Sequence, residues 1–131
     1  MKGEYLGELR TCDQHLKSGK EVITDAPVDN MGKGEAFSPT DLVCAALSSC
    51  MMTIMGQVAD REKIDIRGLK TDITKIMTAS PRKIAEVHIT FTLPGLKADE
   101  KQKQKLRNAA LTCPVALSLA ESINQKVEFN F

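Results

Sequence analysis

The cleanest period in the chain lies between Glu86 and Leu93. Val87, Ile89, Phe91 and Leu93 alternate with Glu86, His88, Thr90 and Thr92, the two-residue repeat of a strand with one buried face. Upstream, Leu69, Thr71, Ile73, Lys75 and Met77 keep that period with polar exceptions, and Ala79-Ser80-Pro81-Arg82 is a turn. The two segments therefore predict a long antiparallel hairpin, stopped by Pro94-Gly95. Val127, Phe129 and Phe131 alternate again and predict a terminal strand. At the front, Tyr5, Leu6 and Leu9 predict a strand over residues 3–12, Lys17-Ser18-Gly19-Lys20 a turn, and Glu21-Val22-Ile23-Thr24 the returning strand. Asp25-Ala26-Pro27 breaks it. Residues 27–37 contain Gly32 and Gly34, have no period, and read as a loop.

Helices fill the rest. Ser38-Pro39-Thr40-Asp41 is a helix start: a serine at the N-cap, a proline at the first helical position, and an acid near the positive end of the dipole. The helix runs to about Asp60. Its middle is apolar on nearly every side, so burial on most faces is expected. Leu42 to Ala59 is about long enough to span a bilayer, but Ser48, Ser49, Thr53 and Gln57 interrupt it, and a core helix is the expectation. Ala98 to Leu111 predicts a second helix with Leu106, Ala109 and Ala110 inside. A third is expected from Cys113 or Pro114 to about Asn124, carrying Val115, Leu117, Leu119 and Ile123. The order β-β-α-β-β-α-α-β favours an α+β fold, with helices packed on antiparallel sheet, in a single domain over residues 1–131.

Composition narrows the function. Charged residues are 27% of the chain and nearly cancel, leaving a net charge of +1; a nucleic-acid protein would usually carry a basic excess. There is no Trp and one Tyr, too few aromatics for base stacking. Met1-Lys2-Gly3-Glu4-Tyr5 is not a signal peptide, so a cytoplasmic setting is expected, with no membrane partner. In that setting the four cysteines are free thiols, metal ligands or catalytic groups. Cys12, Cys44, Cys50 and Cys113 have no zinc-like spacing, and no metal is expected.

Two of the cysteines have informative neighbours. Cys113 stands in Thr112-Cys113-Pro114-Val115, and a proline at the first helical position puts Cys113 at or beside the N-cap, where unpaired N–H groups would favour the thiolate. Cys50 stands in Ser48-Ser49-Cys50-Met51-Met52, in mid-helix, and needs other help to become reactive. Cys44 and Cys50 lie about 240° apart around one helix and cannot bridge within it. If Cys50 and Cys113 meet in space, they form a two-cysteine redox centre; the bland alternative is that free cysteines are simply small buried hydrophobes. Cys12 belongs to no motif. His88 sits on the polar face of its strand.

Phe37-Ser38-Pro39-Thr40-Asp41-Leu42, a run of mostly small and apolar residues up to Cys50, and then Thr112-Cys113-Pro114-Val115-Ala116 resemble the OsmC family, the osmotically inducible and organic hydroperoxide resistance proteins. The resemblance covers nearly the whole chain; residues 18–34 look like its OsmC-like branch. It implies an intertwined α+β homodimer, with antiparallel sheets wrapped around long central helices and the sites at the subunit interface. It implies thiol peroxidation of alkyl or lipid hydroperoxides: Cys50 attacks the peroxide, Cys113 resolves the sulfenic acid, and an external dithiol of the dihydrolipoamide kind restores both, with no metal, haem or flavin. The family's best-characterised peroxidases pair an arginine from the N-terminal hairpin with a glutamate early in the central helix. Here Thr40 falls on the glutamate position with Asp41 beside it, and no arginine occurs between Thr11 and Arg61. His15, Lys17 and Lys20 lie in the corresponding hairpin. Thr40, Asp41 and His15 are therefore auxiliary candidates, with helix-start and hairpin-surface roles as their plain alternatives for Asp41 and His15. The competing function is a dimeric stress protein that binds a lipid-like or other small molecule without turnover.

Overall fold

The alternation centred on Phe91 builds the middle strand of a sheet. The structure, a computed structural model, describes residues 1–131. They cluster into two compact units, residues 1–43 and 44–131.

In the second unit, β4 (Lys70–Ala79) and β5 (Arg82–Thr92) form the expected antiparallel hairpin. Val87, Ile89 and Phe91 are fully buried. The terminal strand β6 (Asn124–Asn130) lies on the other side of β5, giving the order β4-β5-β6. It runs parallel to β5, with Glu86 opposite Asn124 and Thr92 opposite Asn130. The sheet is thus mixed, not antiparallel. Parallel neighbours need a crossover of a dozen or more residues, and the segment holding α2 (Glu100–Leu111) and α3 (Pro114–Ser118) is that crossover. The long α1 (Pro39–Glu62) supplies the rest of the core: Cys44, Leu47, Ser48, Met51, Met55 and Ala59 form one buried stripe.

Phe91 is the largest fully buried side chain in the chain, and its ring stacks on Phe129, its register partner, at 5.3 Å between centroids. Phe91→Ala should cost about 3–5 kcal/mol of unfolding free energy, measured by urea denaturation followed by far-UV circular dichroism.

In the first unit, β1 (Lys2–Gly7), β2 (Arg10–Gln14) and β3 (Glu21–Asp25) form a second three-stranded sheet, all antiparallel. The single strand expected over residues 3–12 is two. Gly7, Glu8 and Leu9 all take positive φ, 90°, 50° and 63°, and reverse the chain between them. A leucine there disguises the turn, because L side chains seldom adopt that conformation; the fold holds it through a bond from Ala26 N–H to the Leu9 carbonyl, 3.0 Å. The loop at 27–37 includes one turn of 3₁₀ helix, Val28–Asn30.

Two further expectations are corrected. The third helix ends at Ser118, not near Asn124, because Leu119 is already extended at φ −75°, ψ 150° and residues beyond it are needed for pairing with β5. The long helix is buried along one stripe only, not on most faces: Leu42, Val43, Met52, Ile54 and Val58 stay half-exposed. By length and composition α1 could also cross a membrane, with a mean hydropathy of 1.7. Its buried stripe, repeating every three or four residues, is that of a helix packed on protein.

Candidate redox site

Cys50 is half-buried in the middle of α1. Cys113 is fully buried immediately before α3. Leu111-Thr112 ends α2, Pro114 can open a helix but not continue one, and Cys113 is left as the N-cap at φ −66°, ψ 150°. Its Sγ accepts the Ala116 N–H at 3.4 Å. Cys50 lies near enough to Cys113 to raise the proton affinity of its thiol. Residues far apart in sequence meet because α2 and α3 return along the same crossover that places β6.

Burial pushes the Cys113 thiol up, against the bonds from the Ala116 and Val115 N–H groups, and the Cys50 neighbour adds to the rise. The helix-start position was expected to favour the thiolate; in a five-residue helix with a fully buried sulfur, desolvation wins. Cys113 is thereby protonated at neutral pH. A step in which Cys113 must act as thiolate has a sign: the reactive fraction is small at pH 7 and grows with pH. Its rate should rise about tenfold per unit between roughly pH 6 and 8 with no plateau below the ordinary thiol range, measured as disulfide formation by rapid acid quench.

Cys44 is on the buried stripe of α1. Cys12 is half-buried on β2 opposite Glu4 and Ile23, its thiol raised by burial and by Glu21, Asp13 and Glu4.

Local partners are clear for the auxiliary candidates. Asp41 accepts the Ser38 N–H at 2.8 Å and the Ser38 hydroxyl at 2.7 Å, while Ser38 Oγ accepts the Asp41 N–H at 3.1 Å. This reciprocal cap fixes the start of α1. Thr40 Oγ1 lies 3.1 Å from Ser38 Oγ. His15 Nδ1 lies 2.6 Å from Ser18 Oγ in the exposed hairpin turn. His88 bonds Glu86 at 2.6 Å, and Lys126 pairs with the same carboxylate.

One arginine network escaped the sequence reading. Arg10 grips Asp25 with two bonds of 2.7 and 2.8 Å and reaches Glu35 at 2.7 Å. The Glu35 N–H also bonds Asp25. Arg10 holds the buried Asp25 carboxyl below the usual carboxylate range. The signal was present in the register, since Arg10 stands opposite Asp25, but only once the turn at Gly7-Glu8-Leu9 is known.

The architecture is α+β, two three-stranded sheets with a long apolar helix and a pair of neighbouring thiols in the second unit. The sequence profile of the OsmC-like proteins matches residues 32–128. A crystal structure of a candidate osmotic stress induced and detoxification response protein from Psychrobacter arcticus 273-4 is 52% identical, with a TM-score of 0.94 over 98% of this chain and 93% of that one. The organic hydroperoxide resistance protein OsmC of Legionella pneumophila shares the fold at 18% identity and TM-score 0.77, covering 99% and 96% of the two chains. So does the organic hydroperoxide resistance protein OhrB of Bacillus subtilis, at 18% identity and TM-score 0.61 over 98% and 96%. No curated protein matches the chain. This chain belongs to the OsmC-like family.

Proposed function

We propose that the protein is a cytoplasmic, dithiol-dependent peroxidase that reduces organic hydroperoxides as a homodimer. The observation that carries this is the proximity of the Cys50 and Cys113 thiols. Two neighbouring thiols are the raw material of a disulfide, and family membership supplies the chemical context.

The division of labour follows from burial. Cys113 is sealed and held protonated, the state of a group that waits; Cys50, the more accessible, meets the peroxide. The Cys50 thiolate attacks one peroxide oxygen and the O–O bond breaks. The sulfur loses two electrons and becomes a sulfenic acid, and the alkoxide leaves as the alcohol after taking a proton. Cys113, losing its proton, displaces hydroxide from that sulfur, and the two products are the Cys50–Cys113 disulfide and water. An external dithiol, of the dihydrolipoamide class, reduces the disulfide by two exchange steps and is itself oxidised to a disulfide.

Uncovered apolar surface supports the dimer. In residues 1–43 the buried side chains are Thr24, Asp25 and Ser38, all polar, while Tyr5, Leu6, Val22, Ile23 and Phe37 are exposed. In residues 44–131, Met52, Ile54 and Val58 of α1 are half-exposed as well. Apolar area on this scale seeks a partner, and a second copy of the chain meets that need. The test has two readings: sedimentation equilibrium, with twice the chain mass expected, and consumption of tert-butyl hydroperoxide by reduced protein with excess dihydrolipoamide. A monomer, or no consumption above the rate of dithiol alone, would contradict the corresponding half of the proposal.

A further inference from the structure

The terminal strand breaks its own pattern at one position. Val127, Phe129 and Phe131 form its apolar row, and the residue that begins the row is Gln125. In the parallel register Gln125 stands opposite the buried Val87, as Val127 stands opposite Ile89 and Phe129 opposite Phe91. Residues directly opposite share a face of the sheet, so a half-buried amide lies on the apolar side. A polar group there needs a partner, and it has one: Gln125 Nε2 donates to the Ala116 carbonyl at 3.0 Å. That carbonyl is one of the last four of α3, which lack a donor within the helix. The N–H of the same residue donates to Cys113 Sγ at 3.4 Å. One buried alanine thus links the sheet to the sulfur.

We propose that Gln125 is a positioning residue for disulfide formation, an anchor that holds α3, and with it Cys113, in place while the sulfur changes partners. The proposal rests on the peroxidase reading and adds to it a residue that acts on the thiol through Ala116. The reason lies in how little else holds α3. A helix of five residues is far below the length at which helices persist by their own bonds. Its first turn is capped by the Cys113 sulfur, the atom that reacts. When Cys113 Sγ bonds to the Cys50 sulfur, the S–O bond of the sulfenic acid breaks, and hydroxide leaves with the thiol proton as water. A sulfur tied to Cys50 is no longer free to follow the Ala116 N–H, so the cap on the first turn weakens in each cycle. The bond from Gln125 contains no redox atom and persists. An intramolecular step depends on orientation, so a loosened α3 slows the attack by Cys113 and leaves the reaction of Cys50 with peroxide as it was.

The test is Gln125→Met, similar in length and without a donor, in the full-length protein treated with tert-butyl hydroperoxide. Ser118→Ala is the control. It removes another bond of α3, from Ser118 Oγ to the Pro114 carbonyl at 2.7 Å, and leaves Ala116 tied to β6. Peroxide loss in the first turnover reads the Cys50 step and is expected to be the same in the unmodified protein and both variants. Disulfide formation, followed by acid quench, should slow about tenfold in Gln125→Met and stay unchanged in Ser118→Ala. A second hydroperoxide then reaches the waiting sulfenic acid, so Cys50 sulfinic acid, read by mass spectrometry, rises with peroxide in Gln125→Met alone. A disulfide that forms as fast in Gln125→Met as in the unmodified protein overturns the anchor and leaves the peroxidase reading standing. Equal slowing in both variants assigns the effect to the stability of α3 in general and also overturns it. So does a peroxide step slowed together with the disulfide step. If Gln125→Met does not fold, Gln125→Glu, which keeps the length and has no donor when ionised, carries the same expectation; loss of the fold in both overturns a role confined to α3. No disulfide in the unmodified protein overturns the peroxidase reading and the anchor with it.

Discussion

Cys50→Ser is expected to reduce hydroperoxide consumption to the background rate of the dithiol alone. The substitution exchanges sulfur for oxygen and little else. The half-buried position on α1 accepts a hydroxyl, so the fold and the neighbouring thiol are retained. What is lost is the nucleophile. A hydroxyl is not deprotonated near neutral pH, and an alcohol oxygen cannot take up the peroxide oxygen as sulfur does. Cys113 does not substitute for it, because burial holds that thiol protonated. The measurement is peroxide loss by the ferric–xylenol orange assay, with the thermal midpoint recorded to show that the variant is folded. Turnover equal to the unmodified protein would remove Cys50 from the chemistry.

Cys113→Ser should separate the two half-reactions. The first chemical step is intact, so one equivalent of hydroperoxide per chain is consumed and Cys50 rests as a sulfenic acid that dimedone traps. Cycling with a dithiol then falls by at least about tenfold, since the external thiol must attack the sulfenic acid directly in place of a resident partner. The fold should tolerate the change well. Cys113 is the N-cap of α3, its sulfur accepting the Ala116 N–H, and serine is among the preferred residues there. Dimedone labelling of Cys50 in the variant, with far less in the unmodified protein, is the expected mass-spectrometric signature. Full cycling without Cys113 would contradict its resolving role.

The extent to which the sequence announced this structure varies with the range of the interactions involved. Local rules served well. The alternation through Phe91 located the central strand, Ser38-Pro39-Thr40-Asp41 located the start of α1, with Asp41 completing the cap, and Pro114 located Cys113 at its N-cap. The errors came where tertiary contacts override local preference. Leu9 hides a turn because a bond from the Ala26 N–H to the Leu9 carbonyl, not its own propensity, holds it in place. The apolar pattern of Val115 to Ile123 reads as helix, yet residues after Leu119 turn so that β6 can pair with β5. The parallel direction of that pairing is a property of the crossover, and no period along either strand encodes it. Apolar residues around α1 were read as buried, but one chain supplies packing for a single stripe.

The site shows the same division. The N-cap position of Cys113 was legible, whereas the direction of its acid–base shift was not, because burial by residues distant in sequence exceeds the effect of two nearby N–H groups. The proximity of Cys50 depends on the return of α2 and α3 past α1, which the residues alone do not give; the family resemblance supplied it as an expectation. Arg10 was overlooked because its partners, Asp25 and Glu35, lie across a register that the hidden turn obscured.

The central claim is that two sulfurs far apart in the chain form one redox unit. Peptide mapping by mass spectrometry, without reduction, of protein given one equivalent of cumene hydroperoxide tests this directly. The account predicts a Cys50 peptide joined to the Cys113 peptide within each chain, two hydrogens lighter than the separate peptides, and its disappearance on adding dihydrolipoamide. Oxidation of Cys50 to a sulfinic or sulfonic acid with Cys113 still a free thiol, or no oxidation of either, would contradict it.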